Sequence, residues 1–369
     1  MRSVVLDKHK GDELPLNRRF WVGILMTVGL LALLIARVGP SRIGTALADA
    51  NYLYVAPGIA VYFVSVYFRS YRWRYLLGPF RTIPTWRLYP VVAVGYMANN
   101  ILPLRLGELA RSYYLARRES VQASTGLATI LIERLFDGLA LLFFFAVAAA
   151  FLPVAGLTGR ISEEAQLPIW LVSVFAVAPF VIVLGVVITA SRFPGLFIRA
   201  LSMFTVRLPR SIGEMVNSLA SRFLVGFTGL HQPKRLTAIF TLSLPVWLAE
   251  ATMYYIIAFG FGLQDYFESI FLMTVAMLLV TAASNLATSL PSSPGSVGPF
   301  EFFAVLTLFS LDVDAGVASA YVIVLHIALL LPVIVLGLVI LGRESISLRQ
   351  LIPVQRTGAQ NTTSTTEER

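Results

Sequence analysis

Long apolar runs, interrupted twice by short polar breaks, set the pattern of this chain. The runs cover 20–38, 52–68, 88–101, 126–152, 168–190, 236–261, 267–290, 298–311 and 316–341. A helix rises 1.5 Å per residue, so about 20 apolar residues cross a hydrocarbon core about 30 Å thick. Several runs meet that length. The run 88–101 reaches only roughly 21 Å and stops at Asn99-Asn100-Ile101-Leu102-Pro103-Leu104-Arg105-Leu106-Gly107-Glu108. The second break is Ser289-Leu290-Pro291-Ser292-Ser293-Pro294-Gly295-Ser296-Val297-Gly298-Pro299-Phe300-Glu301. Backbone facing lipid must satisfy its own hydrogen bonds, so helices broken at membrane depth persist only inside protein or beside water. Paired breaks in two halves of a chain mark the binding site of transporter-like folds.

Basic residues orient the runs. Arg2, Lys8, Lys10, Arg18 and Arg19 precede 20–38. No small-x-small cleavage site follows before Arg42, so this run is read as a first span rather than a removed signal. Arg69, Arg72, Arg74, Arg81 and Arg87 follow 52–68, and Arg105, Arg111, Arg117 and Arg118 follow 88–101. Basic residues gather on the cytoplasmic side. The stretch 88–118 therefore reads as a re-entrant V entered from the cytoplasm. Two short tilted spans are the alternative, which the charge rule disfavours. The loop 153–167, with Arg160 beside Glu163 and Glu164, falls outside. Within 191–235, Ile212, Met215, Leu219, Phe223 and Phe227 make one apolar stripe. That segment is an amphipathic helix on the leaflet or a small cap on the spans. Lys and Arg are absent from 236–342. Both flanks of that block are basic, so it makes an even number of crossings, as two spans plus an outer V or as four spans. Both termini are then cytoplasmic, with polar ends at 1–19 and 343–369 and a disordered tail.

The breaks align with each other. Pro103 with Pro294, Gly107 with Gly298, Glu108 with Glu301 and Arg134 with His326 fall at a nearly constant offset. The expected fold is an all-α, polytopic membrane domain over 20–342. It is built from two inverted repeats, 20–152 and 168–342, each with about three full spans and a re-entrant or broken helix pair. The segment 191–235 is an insertion.

Composition agrees. The chain has 369 residues, 57% of them hydrophobic and 13% charged, with mean hydropathy +0.77. Soluble domains carry about 25% charged residues. The net charge of +9 flanks apolar runs, which fits anionic headgroups and topology rather than nucleic acid. Cysteine is absent, so thiolate chemistry is excluded. His9, His231 and His326 show no metal-ligand spacing, and no cofactor is expected. GxxxxGK, HExxH and GxSxG are absent, which argues against conventional catalysis.

Ionisable residues at membrane depth are functional suspects. Arg105, Glu108 and Arg111 stand at the first break, where Glu108 and Arg111 are spaced to pair on one helix face. Their alternatives are an interfacial ion pair or an arginine grip on lipid phosphate. Glu133, Arg134 and Asp137 lie well inside 126–152, either as a helix clamp or as headgroup ligands. Glu301, His326 and Glu250 form the third group. Asn100, Pro103, Gly107, Pro294, Gly295 and Gly298 shape the breaks around these charges.

These three stretches, with Glu133-Arg134-Leu135-Phe136-Asp137 between the breaks, resemble the lysylphosphatidylglycerol synthase transmembrane (flippase-like) family over about 20–342. The resemblance implies lipid translocation, with membrane lipids as partners, and leaves the lipid open. Members that aminoacylate lipid carry a large soluble synthase domain, and here the chain ends soon after the last run, so aminoacylation by this chain is not expected. Some members are fused to glycosyltransferases, which keeps a polyprenyl-phosphate-sugar open as substrate. It also raises a second reading, a scaffold or accessory subunit for a lipid-modifying enzyme or glycosyltransferase. An intramembrane glycosyltransferase would need a carboxylate in a headgroup-sized pocket at a donor site.

Overall fold

In lipid, an apolar run satisfies its N–H and C=O groups by coiling into a helix. The computed structural model describes residues 18–102, 106–152, 193–206, 233–290, 293–347 and 351. The helices among the described residues are α1 (Arg18–Val38), α2 (Pro40–Ala48), α3 (Val55–Leu77), α4 (Thr85–Ile101), α5 (Gly107–Glu119), α6 (Ala123–Ala149), α7 (Pro194–Thr205), α8 (Pro233–Phe259), α9 (Ile270–Ala287), α10 (Pro299–Ser310) and α11 (Ala315–Arg343). Helices α1, α3, α8, α9 and α11 are long and apolar enough to cross a membrane. The chain is therefore an all-α integral membrane protein. Helix α6 is about 40 Å long but carries Glu133, Arg134 and Asp137 within it. Helices α5 and α10 reach only roughly 18–20 Å, too short to span.

The helix ends follow the apolar runs closely, with one informative exception. Helix α3 continues to Leu77. Arg69 and Arg72, expected in a loop after 52–68, are instead buried within it. Carboxylates from α6 and α8 neutralise them, so the helix does not stop where the charges begin. The expected span at 168–190, the apolar stripe 212–227, the segment 1–17 and the tail beyond 351 lie outside the described residues.

Packing follows a two-fold pattern. Helix α4 packs on α5, and α9 on α10. Helix α3 touches α4, and α8 touches α9; α5 touches α6, and α10 touches α11. The last helix of each half lies on the broken pair of the other, α11 on α4 and α6 on α9. Exchanging α3–α6 with α8–α11 maps each of these pairs onto another observed pair. The self-paired contact, α3 with α8, is antiparallel. The Asn51 N–H donates to the Gly260 carbonyl at 2.7 Å, Ser65 Oγ to the Val246 carbonyl at 3.0 Å, and Arg72 Nη1 to Ser243 Oγ at 2.7 Å. Swapped packing of this kind carries both breaks to the middle of the bundle. Helix α1 clasps the second break. Thr27 Oγ1 donates to the Val297 carbonyl at 2.7 Å and accepts the Ser293 N–H at 3.2 Å.

The two ends of the bundle differ in charge. One end gathers Arg87, Arg117, Arg118, Lys234 and Arg343, where Arg118 pairs with Glu344 and Arg235 reaches the Tyr75 carbonyl. The other gathers Asp49, Asp265, Glu268, Asp312 and Asp314 beside Arg37 and Arg42, where the Phe151 and Phe271 rings meet at 5.3 Å.

Contact between α11 and α4 depends on a residue without a side chain. A Cβ at Gly337 would lie 2.5 Å from Met97 Cβ. Gly337→Val is expected to cost about 1–3 kcal/mol through overpacking. Gly342→Ala, with nothing within 4 Å, is expected to unfold in detergent at the wild-type temperature. Thermal unfolding followed by tryptophan fluorescence checks both.

Candidate functional site

Each break ends in a carboxylate on the first turn of a short helix. After α4, Leu102 is extended (φ −86°, ψ 141°) and α5 begins at Gly107, with Glu108 in its first turn. Arg134 of α6 donates through Nε to Glu108 Oε1 at 3.0 Å. At the second break, Gly295 (φ 73°) and Gly298 (φ 98°) take left-handed conformations that favour glycine. Helix α10 follows with Glu301 in its first turn. Glu301 Oε2 accepts the Gly298 N–H at 2.7 Å, and Oε1 meets Nδ1 of His326, on α11, at 2.5 Å. The residues aligned by offset thus form equivalent pairs, Glu108 with Arg134 and Glu301 with His326.

A cavity of about 650 Å³ lies between these pairs. Asn99, Asn100, Glu108, Arg134 and Asp137 line it from the first half, and Glu250, Asn285, Gly295, Ser296 and His326 from the second. Tyr62, Arg69, Tyr96 and Trp247 add to the wall, and leucines of α6, α9 and α11 with Phe300 make much of the rest apolar. It reaches the surface at Leu131 and Ser289, both exposed. Ligand clefts of about 300–1,000 Å³ take small molecules and headgroups. Among the described residues, His, Asp and Glu form no cluster suited to a metal ion.

The wall is continuous with a buried ion network. Arg69 of α3 pairs with Glu250 of α8, donates to Tyr96 Oη at 2.9 Å and lies 4.7 Å over the Trp247 ring. Arg72 Nη1 donates to Asp137 Oδ1 at 2.7 Å, and its Nη2 stands 3.3 Å from Glu133 Oε1. Arg111 of α5 holds both Glu133 oxygens at 3.1 Å and sits 3.8 Å over the Trp73 ring. Removing a charge from water costs several kcal/mol unless it is paired and hydrogen-bonded. Here Arg69, Arg72, Arg111 and Arg134 are matched by Glu108, Glu133, Asp137 and Glu250, so the network is neutral.

The sequence-derived candidates divide accordingly. Asn100, Glu108, Arg134, Asp137, Gly295 and His326 line the cavity, and Glu301 stands behind His326. Arg111 and Glu133 do not line it: the phosphate grip expected of Arg111 is replaced by its paired bond to Glu133. The expected Glu108–Arg111 pair gives way to Glu108–Arg134, because α6 packs across the start of α5. Gly107 and Gly298 permit backbone approach, to Asn99 and Gly95 and to Thr27 respectively. Pro294 opens the 3-10 turn Pro294–Ser296. Pro103 and Arg105 lie outside the described residues. Arg69, Tyr96, Asn99 and Asn285 were not singled out by sequence. A signal existed for Arg69: Ser65, Arg69 and Arg72 recur at helical spacing as a polar stripe on an apolar helix.

Burial separates structural charges from cavity charges. Glu133→Ala strands Arg111, leaves Arg72 with Asp137 alone, and is expected to cost about 3–5 kcal/mol. Arg134 is partly exposed, at 32%, and Arg134→Ala is expected to cost about 0–1 kcal/mol. Unfolding of both variants in detergent checks this ordering, and equal losses would contradict it.

Comparison with known proteins places this architecture. A UPF0104 membrane protein of Methanothermobacter thermautotrophicus is 27% identical over 299 residues, covering 77% of this chain and 81% of its own length. The UPF0104 membrane protein MJ1078 of Methanocaldococcus jannaschii is 24% identical over 242 residues, 65% of this chain and 90% of its own length. A protein of Haloferax volcanii named glycosyltransferase AglD is 26% identical over 325 residues, 82% of this chain but 51% of its own length. The family model described as the lysylphosphatidylglycerol synthase TM region matches residues 20–337, and the chain belongs to that family.

Proposed function

We propose that this protein translocates a lipid between the leaflets of the cell membrane, taking a phospholipid or lipid-linked headgroup into the cavity between the two breaks. The observation that carries this reading is the cavity itself: it is of headgroup size, sets charged and amide side chains among apolar ones, is bounded by both broken helix pairs and reaches the surface at Leu131 and Ser289. An opening beside lipid lets a headgroup enter while its acyl chains stay in the bilayer. The antiparallel α3–α8 contact and the exchange of packing between halves support inverted repeats, the arrangement in which one half rocks against the other around a central site. The basic end of the bundle is the cytoplasmic one in this reading, by the positive-inside rule, and both termini lie there. No catalytic chemistry is assigned.

Arg134 supplies the phosphate contact. Its planar guanidinium matches phosphate oxygens in pairs, and a phosphate that binds it displaces Glu108. The surrounding network is already neutral, so a headgroup bearing a phosphate together with a cation or hydroxyls fits better than a bare anion.

A second reading draws on the relative named a glycosyltransferase, whose length extends well beyond the matched membrane part. In it the domain is a scaffold or accessory subunit for a glycosyltransferase or lipid-modifying enzyme and holds its lipid-linked substrate.

Leaflet exchange of fluorescent phosphoglycerolipids in liposomes containing the purified protein tests the first reading. Wild type is expected to accelerate exchange. Arg134→Ala is expected to slow it about 10- to 100-fold, the equivalent of one charged hydrogen bond, while remaining folded. Exchange equal to empty liposomes across phospholipids and polyprenyl-phosphate sugars would discard translocation in favour of the accessory role.

A further inference from the structure

The two equivalent pairs differ in one chemical respect. Arginine in the Glu108 pair stays protonated at any cellular pH. Histidine in the Glu301 pair can stand either as a neutral ring with one N–H or as a cation with two.

Both ring nitrogens of His326 face acceptors. Nε2 lies 3.1 Å from the Gly295 carbonyl oxygen. A carbonyl only accepts, so Nε2 carries a hydrogen. Nδ1 lies 2.5 Å from Glu301 Oε1. A neutral ring protonated at Nε2 presents a lone pair at Nδ1, and an ionised carboxylate presents only lone pairs. That contact therefore requires one further proton between the two atoms. Glu301 Oε2 is engaged as acceptor of the Gly298 N–H. The Phe300 ring stacks on the imidazole with centroids 4.1 Å apart, which opposes rotation of the ring away from either partner.

We propose that the second break is a proton-binding site, in which a proton held between His326 Nδ1 and Glu301 Oε1 latches 293–298 to α11. With the proton bound, the pair is neutral and both Gly295 and Glu301 are satisfied. On release, the Nε2 hydrogen passes to water in the cavity that His326 lines, the pair becomes an anion, and the ring keeps its Nδ1–H on the Glu301 carboxylate, a stronger acceptor than the Gly295 carbonyl. A rise in pH frees the Gly295 turn from α11.

The neighbours leave this role to the pair. Helix α1 presents Thr27 to the break, and α9 presents Ser284 and Asn285. Helix α8 presents Tyr254, against Phe300, and Glu250, which Arg69 neutralises. Across the cavity stand Tyr62 and Asn100, with Glu108 and Arg134 already paired. The proton site is independent of what crosses the membrane; its use as a coupling ion rests on the translocation proposed above.

Two measurements on the full chain in lipid nanodiscs test the site. The first is nitrogen-15 NMR of labelled histidines with His326→Gln for assignment, beside infrared spectra of wild type and Glu301→Gln. At pH 7.5 the expected result is an imidazolium at His326, or a neutral ring with a protonated carboxyl band that Glu301→Gln removes. A neutral His326 beside an ionised Glu301 overturns the proposal. The second uses the absence of native cysteine. Maleimide labelling of Ser296→Cys is expected to rise with pH about tenfold more than that of Thr288→Cys, the equivalent of one charged hydrogen bond. His326→Arg is expected to abolish the excess, and an unchanged excess overturns the latch. In liposomes, exchange indifferent to a pH gradient overturns the coupling while leaving the site intact. Absence of exchange at every pH overturns translocation alone.

Discussion

Neutrality of buried charge is the constraint on which this structure depends. Arg69, Arg72 and Arg111, on α3 and α5, are held out of water in a chain otherwise built to sit in hydrocarbon, and Arg134 on α6 faces the cavity. Unpaired, any of the first three would cost several kcal/mol, a large part of the stability of a typical fold. Each finds a carboxylate, and most of the pairs join different helices. The network therefore ties α3 to α6 and α8, and α5 to α6, and fixes the walls of the cavity. The aromatic faces of Trp73, Tyr96 and Trp247 complete the shielding, because a ring face carries negative potential toward a guanidinium.

Upon that frame the two breaks are placed by swapped packing. Each broken pair rests on the last helix of the other half, so neither break meets lipid alone. The non-helical backbone at Leu102, at Leu106 and over 293–298 meets protein and cavity, the setting in which such backbone survives at membrane depth. The glycines matter there for close approach. Gly298 lets α1 lie against the break, and Gly107 lets α5 lie on α4. The equivalence of the halves then gives way at one position. Where the first half places the fixed charge of Arg134, the second places the titratable His326, and the two ends of the cavity acquire different chemistry.

In the function proposed above, a cavity whose buried charges already cancel suits a headgroup that is itself near neutral or that exchanges one ion pair for another as it binds. That is a demanding site for a bare anion and a permissive one for zwitterionic or glycosylated phosphates.

Helix positions, both breaks and the list of charges were legible in the sequence, because hydropathy, length and breaker residues act locally along the chain. The alignment of Glu108 with Glu301 and of Arg134 with His326 was legible too, since it rests on spacing. Partner choice was not. Local spacing favoured Glu108 with Arg111, three residues apart, whereas the fold pairs Glu108 with Arg134, 26 residues on, and Arg69 with Glu250, 181 residues on. Arg69 and Arg72 read as loop charges until α6 and α8 were seen to neutralise them inside α3. Pairing across such distances is set by which helices touch and at what register, and only the tertiary structure decides that. It alone sorted the arginine that faces the cavity beside Glu108 from the one locked behind it on Glu133.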